Sequence, residues 1–175
     1  MGLAIADCAY NMGAQVELIT TNDVERDYEV VRVDTAAQMK ETLDRDFSDS
    51  DCLIMASAVA DYRIKNYNEN KLSGHDETLT LEFVKNPDIL SEICKVKREN
   101  QIVVGFCLST ENLENNAKEK IQKKGCDYIV ANRADIALGK DKNEVIVYDK
   151  NLNEKKFELD YKENIAKKIL ELIYD

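Results

Sequence analysis

Lys120 and Lys124 stand one helical turn apart in a segment that runs from Asn112 to Lys124 and stops at Gly125. At about 100° per residue, Leu113, Ala117 and Ile121 span an apolar arc from 0° to roughly 80°. Lys124 falls near 20°, inside that arc, and Lys120 near −20°, on its edge. Both lysines therefore lean toward the covered side of the helix. Either their stems snorkel past the core to water, or the pair is a basic clamp for a bound polyphosphate. A second candidate follows the apolar run Cys52–Val59. Ala56, Ser57, Ala58 and Ala60 are small enough for a flat ring to approach the backbone. Asp61 could accept hydrogen bonds from a ligand amine or hydroxyl, or simply cap a turn. A third is Asn86-Pro87-Asp88, which opens a helix; a helix start attracts anions, although Asp88 competes for the same dipole. Lys71 and the single histidine, His75, lie in a polar loop where solvation is the ordinary fate of such side chains.

These residues need a frame, and strand and helix signals alternate to supply one. Helical spacing covers Met1–Met12 and closes at Gly13. Strands are expected at Gln15–Thr20, Glu29–Val33, Cys52–Val59, Leu79–Val84, Ile102–Cys107 and Asp127–Ala131. Between them run helices from Thr35 to Phe47, from Pro87 to Lys97 and from Asn112 to Lys124, with Thr35 as an N-cap. Arg63–Glu77 reads as a long loop. Val145–Tyr148 and Lys156–Leu159 pair around the turn Asp149–Asn153, and Tyr161–Tyr174 is a closing amphipathic helix. This alternation predicts one α/β domain over residues 1–175, with a doubly wound, mostly parallel Rossmann-like sheet and helices on both faces. Such a domain normally opens with a strand and a glycine-rich turn. This sequence opens with the helix that should follow them, so that first strand and turn are expected to lie outside it.

The chain has 175 residues, and its net charge of −10 disfavours nucleic acid, which needs a concentrated basic face. No apolar run approaches the roughly 20 residues that span a bilayer, and no signal-like block opens the sequence. A cytoplasmic location is expected. The five cysteines are scattered and odd in number, with no CxxC pair, which argues against a disulfide framework and a zinc site. Cys8, Cys52 and Cys94 sit in apolar surroundings and read as small core residues. The absence of G-x-G-x-x-G counts against a nicotinamide dehydrogenase on this topology.

Taken in order, MGLAIADCAY (1–10), ASAVADYR (56–63), Lys71, VKNPDIL (84–90), VGF (104–106) and A-x-x-K-x-x-x-K-x-x-D-x-I-V-A-N (117–132) resemble the bacterial phosphopantothenate–cysteine ligases. The resemblance runs over essentially the whole chain. It implies a ligase of coenzyme A biosynthesis that takes CTP as substrate, with Mg²⁺. The carboxylate of 4′-phosphopantothenate attacks the α-phosphate and releases pyrophosphate. L-cysteine then displaces CMP from the acyl-cytidylate. It further implies that Ala58 and Asp61 belong to the cytidine pocket and that Phe106 lines it. Pro87, Asp88, Ile89 and Leu90 would form the nucleotide-binding helix start, Lys120 and Lys124 would contact the nucleotide, and Lys71 would be a flap lysine needed for the second step. Asn132 is a looser match. Three departures stand out. The run Lys71-Leu72-Ser73-Gly74 replaces the family's K-x-K-K, Ser109 replaces a frequent Glu, and the family's N-terminal segment is missing. A homodimer is implied, with the strands around Val145 and Phe157 as contact candidates. A catalytically inactive, nucleotide-binding regulatory subunit or fragment is the rival expectation.

Overall fold

Side chains alternate across a strand with a period of two, and the strand Ile102–Ser109 shows what that does here. Val103 and Cys107 face one hydrophobic cluster, while Val104 and Phe106 face another. The molecule is accordingly two cores on either side of one sheet. The computed structural model describes residues 1–67, 78–137 and 139–174. Its elements are α1 (Gly2–Asn11), β1 (Glu17–Thr20), β2 (Glu29–Arg32), α2 (Ala36–Asp46), β3 (Cys52–Met55), β4 (Tyr62–Ile64), β5 (Phe83–Lys85) and α3 (Ile89–Val96). There follow β6 (Ile102–Ser109), α4 (Leu113–Lys124), β7 (Tyr128–Arg133), α5 (Ala134–Ala137), β8 (Lys142–Asp149), β9 (Glu154–Tyr161) and α6 (Lys162–Tyr174).

The central sheet has the order β3-β6-β7-β8-β9. β3, β6 and β7 are parallel, and β8 runs antiparallel to both of its neighbours, so β9 returns to the common direction. Four of the five strands thus point one way, as the expected mostly parallel sheet requires. Helices α2, α3 and α4 cover one face through Met39, Leu43, Ile93, Ala117 and Ile121. Helices α1 and α6 cover the other through Ile5, Ile165, Ile169 and Ile173. The sequence signals for α2 are realised closely. Thr35 accepts from the Gln38 backbone N–H at 3.2 Å, and the Gln38 side chain accepts from the Thr35 N–H at 3.0 Å, closing a capping box.

Several boundaries differ from expectation. β3 ends at Met55 rather than Val59, because the small residues beyond it have little side chain to pack on a pleated surface. Tyr62–Ile64, expected as the edge of a loop, is a strand paired antiparallel with Phe83–Lys85. Pro87 precedes α3 instead of lying in its first turn, and Asp88 is the N-cap. Val145, a candidate dimer contact, is 1% exposed inside the α6-side core, whereas Phe157 is partly buried against that core. The fully buried cysteines are Cys107 and Cys126; Cys8, Cys52 and Cys94 are only partly covered. β1 and β2 form a separate parallel pair. A groove of about 780 Å³ lies between β1 and β3, with Leu3 and Ala6 of α1, Met39 of α2 and Leu170 of α6 on its walls.

The end of the sheet opposite the candidate site is pinned by polar side chains. Gln101 is 2% exposed, and its amide donates to Phe47 O at 2.8 Å and Ser50 O at 2.7 Å. Its carbonyl accepts from the Arg98 N–H at 2.8 Å. One amide side chain thus locks the turn after α2 to the start of β6. Asp127 accepts from the Val103 N–H at 2.8 Å and pairs with Lys97 at 3.1 Å, tying the start of β7 to β6 and α3. Gln101→Ala strips three bonds from backbone groups, one of them buried and two part-buried, so urea unfolding should show a loss of about 2–3 kcal/mol. A loss below about 0.5 kcal/mol, the usual range for a surface change, would mean that the turn holds itself.

Candidate functional site

In an open parallel sheet, ligands sit beyond the carboxyl ends of the strands. Here that rim is built by the segment after β3, the start of α3 and the inner face of α4. The segment after β3 is held by Asn86. Its side-chain amide donates to Ala60 O at 2.8 Å, and its backbone N–H donates to Asp61 O at 2.8 Å. Arg63 reaches across the β4–β5 pair to donate to Lys85 O at 2.9 Å and Asn86 Oδ1 at 3.2 Å. Asn86, part of the helix start Asn86-Pro87-Asp88, therefore joins that motif to the segment after β3. Its signal was its place immediately before Pro87, a residue type that fixes a turn.

Asp88 caps α3 by accepting from the Ser91 N–H at 3.2 Å. The first-turn N–H groups of Ile89 and Leu90 have no acceptor within the helix. The side chains of these two residues are 2% and 6% exposed in the core, so what they can offer a ligand is backbone. The other carboxylate oxygen of Asp88 takes a short, charge-assisted hydrogen bond from Lys124. Burial pushes the Asp88 carboxyl upward, but the Lys124 hydrogen bond, the Ser91 N–H and the positive charges of Lys124 and Lys85 outweigh it. The net pKa lies below the ordinary aspartate value.

One turn earlier on α4, Lys120 donates to Phe106 O at 2.6 Å. Both lysines thus point to the sheet side, as the helical arc required, and each finds an oxygen acceptor there. The Cα–Cβ bonds of a helix tilt toward its N-terminus. α4 starts at the carboxyl rim of β6, so the tilt carries both ammonium groups toward that rim. Gly125, at φ 75°, ends the helix in the left-handed conformation that an L side chain would strain.

The remaining expected residues are less closely gathered. Ala58 and Asp61 are exposed on the segment after β3, and Asp61 joins the others through its backbone carbonyl. The Phe106 ring packs on the α1–α6 side of the sheet, across from Lys120 and Lys124; only its carbonyl meets them. Asn132 is 6% exposed on β7. Lys71, and with it His75, falls outside the described residues. Two depressions in the structure are lined by neither Asp61, Asp88, Lys120 nor Lys124. The β1–β3 groove reaches only Ala56 and Ser57, and a second, of about 370 Å³, lies between the first turn of α4 and Arg133, Glu144 and Ile146. Among the described residues no helix is long and apolar enough to cross a membrane.

Residues 1–175 match the family described as DNA/pantothenate metabolism flavoprotein C-terminal domain. A curated relative named cysteine/cysteine sulfinic acid decarboxylase, from an unknown prokaryotic organism, is 35% identical over 99% of this chain and 52% of its own length. The coenzyme A biosynthesis bifunctional protein CoaBC of Borreliella burgdorferi is 35% identical over 99% of this chain and 45% of its own. The chain thus spans about half the length of the curated relatives it matches. Among solved structures, the C-terminal domain of a coenzyme A biosynthesis bifunctional protein CoaBC superposes with a TM-score of 0.80 at 30% identity. It covers 98% of this chain and 79% of that one.

The Asp88–Lys124 pair has a pH signature. Because the folded pKa of Asp88 is lowered, its contribution to stability is complete above the unfolded value, about 3.9, and is lost as pH falls through the folded value. Asn is as good an N-cap as Asp, so Asp88→Asn removes the charge and keeps the cap. Urea unfolding from pH 7 to pH 3 should show wild type more stable than the variant at neutral pH, with the difference shrinking below about pH 4. A difference that stays constant over the whole range would refute the linkage.

Proposed function

The chain belongs to the DNA/pantothenate metabolism flavoprotein C-terminal domain family, and we propose that it is the ligase part of a coenzyme A biosynthesis enzyme. In this reading it joins 4′-phosphopantothenate to L-cysteine at the expense of CTP. The single observation that carries the reading is the pairing of Asp88, the cap of α3, with Lys124, one turn from Lys120 on the inner face of α4. These residues fall within motifs by which the sequence resembles the ligases. Its relatives include a CoaBC protein.

The first step asks the site to hold a triphosphate while a carboxylate attacks its α-phosphorus. Two anions must approach, and pyrophosphate leaves with added charge. Lys120 and Lys124 supply cations fixed by the helix rather than by solvent, so little reorganisation accompanies the reaction. The backbone N–H groups of Ile89 and Leu90 add donors at the positive end of α3. Mg²⁺, when bound, screens the triphosphate. Among the described residues no cluster of three or more candidate metal ligands occurs, a setting that suits an ion held largely by phosphate oxygens and water. Ala58 and Asp61 recognise the base, the alanine by admitting a flat ring and the aspartate by accepting from its amine.

In the second step the cysteine amine attacks the acyl carbon and CMP departs. A tetrahedral oxyanion forms, and Lys71 is the cation assigned to it. We place the enzyme in the cytoplasm as a homodimer. The exposed Leu159 and Tyr161 on the edge strand β9 are suited to a subunit contact.

The test is a pyrophosphate assay on the full-length protein with CTP, Mg²⁺, 4′-phosphopantothenate and cysteine. Release that depends on phosphopantothenate supports the ligase; CTP binding with no release would leave a nucleotide-binding subunit instead. Lys71→Gln should keep pyrophosphate release and lose cysteine coupling, and equal loss of both would remove Lys71 from the second step. For Lys120→Ala the expected change is a rise in the CTP dissociation constant of about tenfold to a hundredfold, from the loss of one charge-assisted bond worth about 1.5–3 kcal/mol. Unchanged affinity would make Lys120 a lysine that only covers the core.

A further inference from the structure

Cys94, on the outer half of α3, and Cys126, two residues beyond the end of α4, place their sulfurs 3.6 Å apart, sharing a hydrogen bond. No other two cysteine sulfurs share a hydrogen bond among the described residues. A disulfide needs about 2.05 Å, so the gap to close is about 1.5 Å. The backbone beside Cys126 is already against Cys94: a Cβ on Gly125 would lie 3.9 Å from Cys94 Cβ. Beneath, Gly105 has no side chain, and a Cβ there would come within 3.5 Å of Cys126 Sγ.

The two thiols differ in a way that orders the chemistry. Cys94 is partly exposed and Cys126 is buried. The contact with Cys126 draws the Cys94 pKa below its ordinary value against the effect of burial. The same contact and burial push Cys126 up. Burial raises the other three as well, Cys52 to about 11. Cys94 is therefore the thiol of the pair that an oxidant can reach, with a resolving thiol in contact.

We propose that Cys94 and Cys126 form a reversible dithiol–disulfide couple, closed by a hydroperoxide, that fixes α3 to the end of α4 and weakens nucleotide binding on the Asp88–Lys124 wall. The Cys94 thiolate attacks a peroxide oxygen. The O–O bond breaks and the departing hydroxide takes a proton to become water, leaving Cys94 as sulfenic acid. Cys126 then gives up its proton and attacks Cys94 Sγ, and the S–O bond breaks to release a second water. Two thiols are oxidised and one hydrogen peroxide is reduced to two waters. The bond joins the two elements that carry Asp88 and Lys124, so drawing the sulfurs together shifts the carboxylate relative to the ammonium.

The effect on nucleotide rests on the function proposed above, but formation of the bond does not. Hydrogen peroxide should remove the mass of two hydrogens from the reduced full-length protein and give a non-reduced peptide joining Cys94 to Cys126. Dithiothreitol should reverse both changes. Cys94→Ser and Cys126→Ser should each abolish the linked peptide. Accumulation of Cys94 sulfinate without a link would overturn the couple, and this result needs no variant to fold. Where the link forms, the CTP dissociation constant should rise about fivefold and return on reduction. A formed link with unchanged affinity overturns the coupling. Reduced protein that never binds CTP counts against the function proposed above, while the linked peptide still decides the couple.

Discussion

The lean of two lysine side chains on α4 brings two cations to the inner side of the helix, on Phe106 O and on Asp88. Helical side chains tilt toward the N-terminus of their own helix, and a helix that follows a parallel strand begins at that strand's carboxyl rim. Lys120 and Lys124 are rooted over the core by Ala117 and Ile121, yet their ammonium groups arrive near the rim, on Phe106 O and on Asp88. Turning α4 by one residue would move both away from that face. The bonds of Asp127 with Val103 of β6 fix where the helix ends against the sheet.

A partly buried ammonium group costs desolvation unless it has a partner. Asp88 supplies that partner for Lys124 and caps α3 with its other oxygen. One carboxylate thus serves a helix start and a lysine at once. A phosphate group competes for the same lysine with more oxygens and more charge, and it also gains the first-turn N–H groups of α3. Asp88 works against that exchange, because its own charge repels the incoming anion. Under the function proposed above, the pair suits a site that releases its nucleotide after each turnover rather than holding it as tightly as two free lysines would.

Much of this could be read in the sequence because it depends on local period. The helical arc of Leu113–Lys124, the Thr35 cap and the apolar strands after Asp51 and Gln101 each sit in a window of a few residues. What escaped the reading depends on distant pairing. Tyr62–Ile64 is a strand only because Phe83–Lys85 lies beside it, and Asn86 matters only because Ala60 and Asp61 are brought to it. Ile89 and Leu90 carry a motif, but their side chains belong to the core, so the motif's use must be through the backbone. The contact of Cys94 with Cys126 spans 32 residues and had no signature in spacing. The cysteines picked as core from apolar neighbours were, for the same reason, the less buried ones.

Phe106 imposes the last geometric demand. Successive residues of β6 face opposite sides, so the ring of Phe106 lies on the α1–α6 side while Lys120 takes its carbonyl on the other. A ligand that uses both ring and lysine must cross the end of the sheet rather than lie on one face. Beyond Met55, where β3 stops, Ala56, Ser57, Ala58 and Ala60 are small and only Val59 packs against the core. The sheet gives up pairing after Met55, which leaves Ser57, Ala58 and Ala60 exposed on the segment that Asn86 holds.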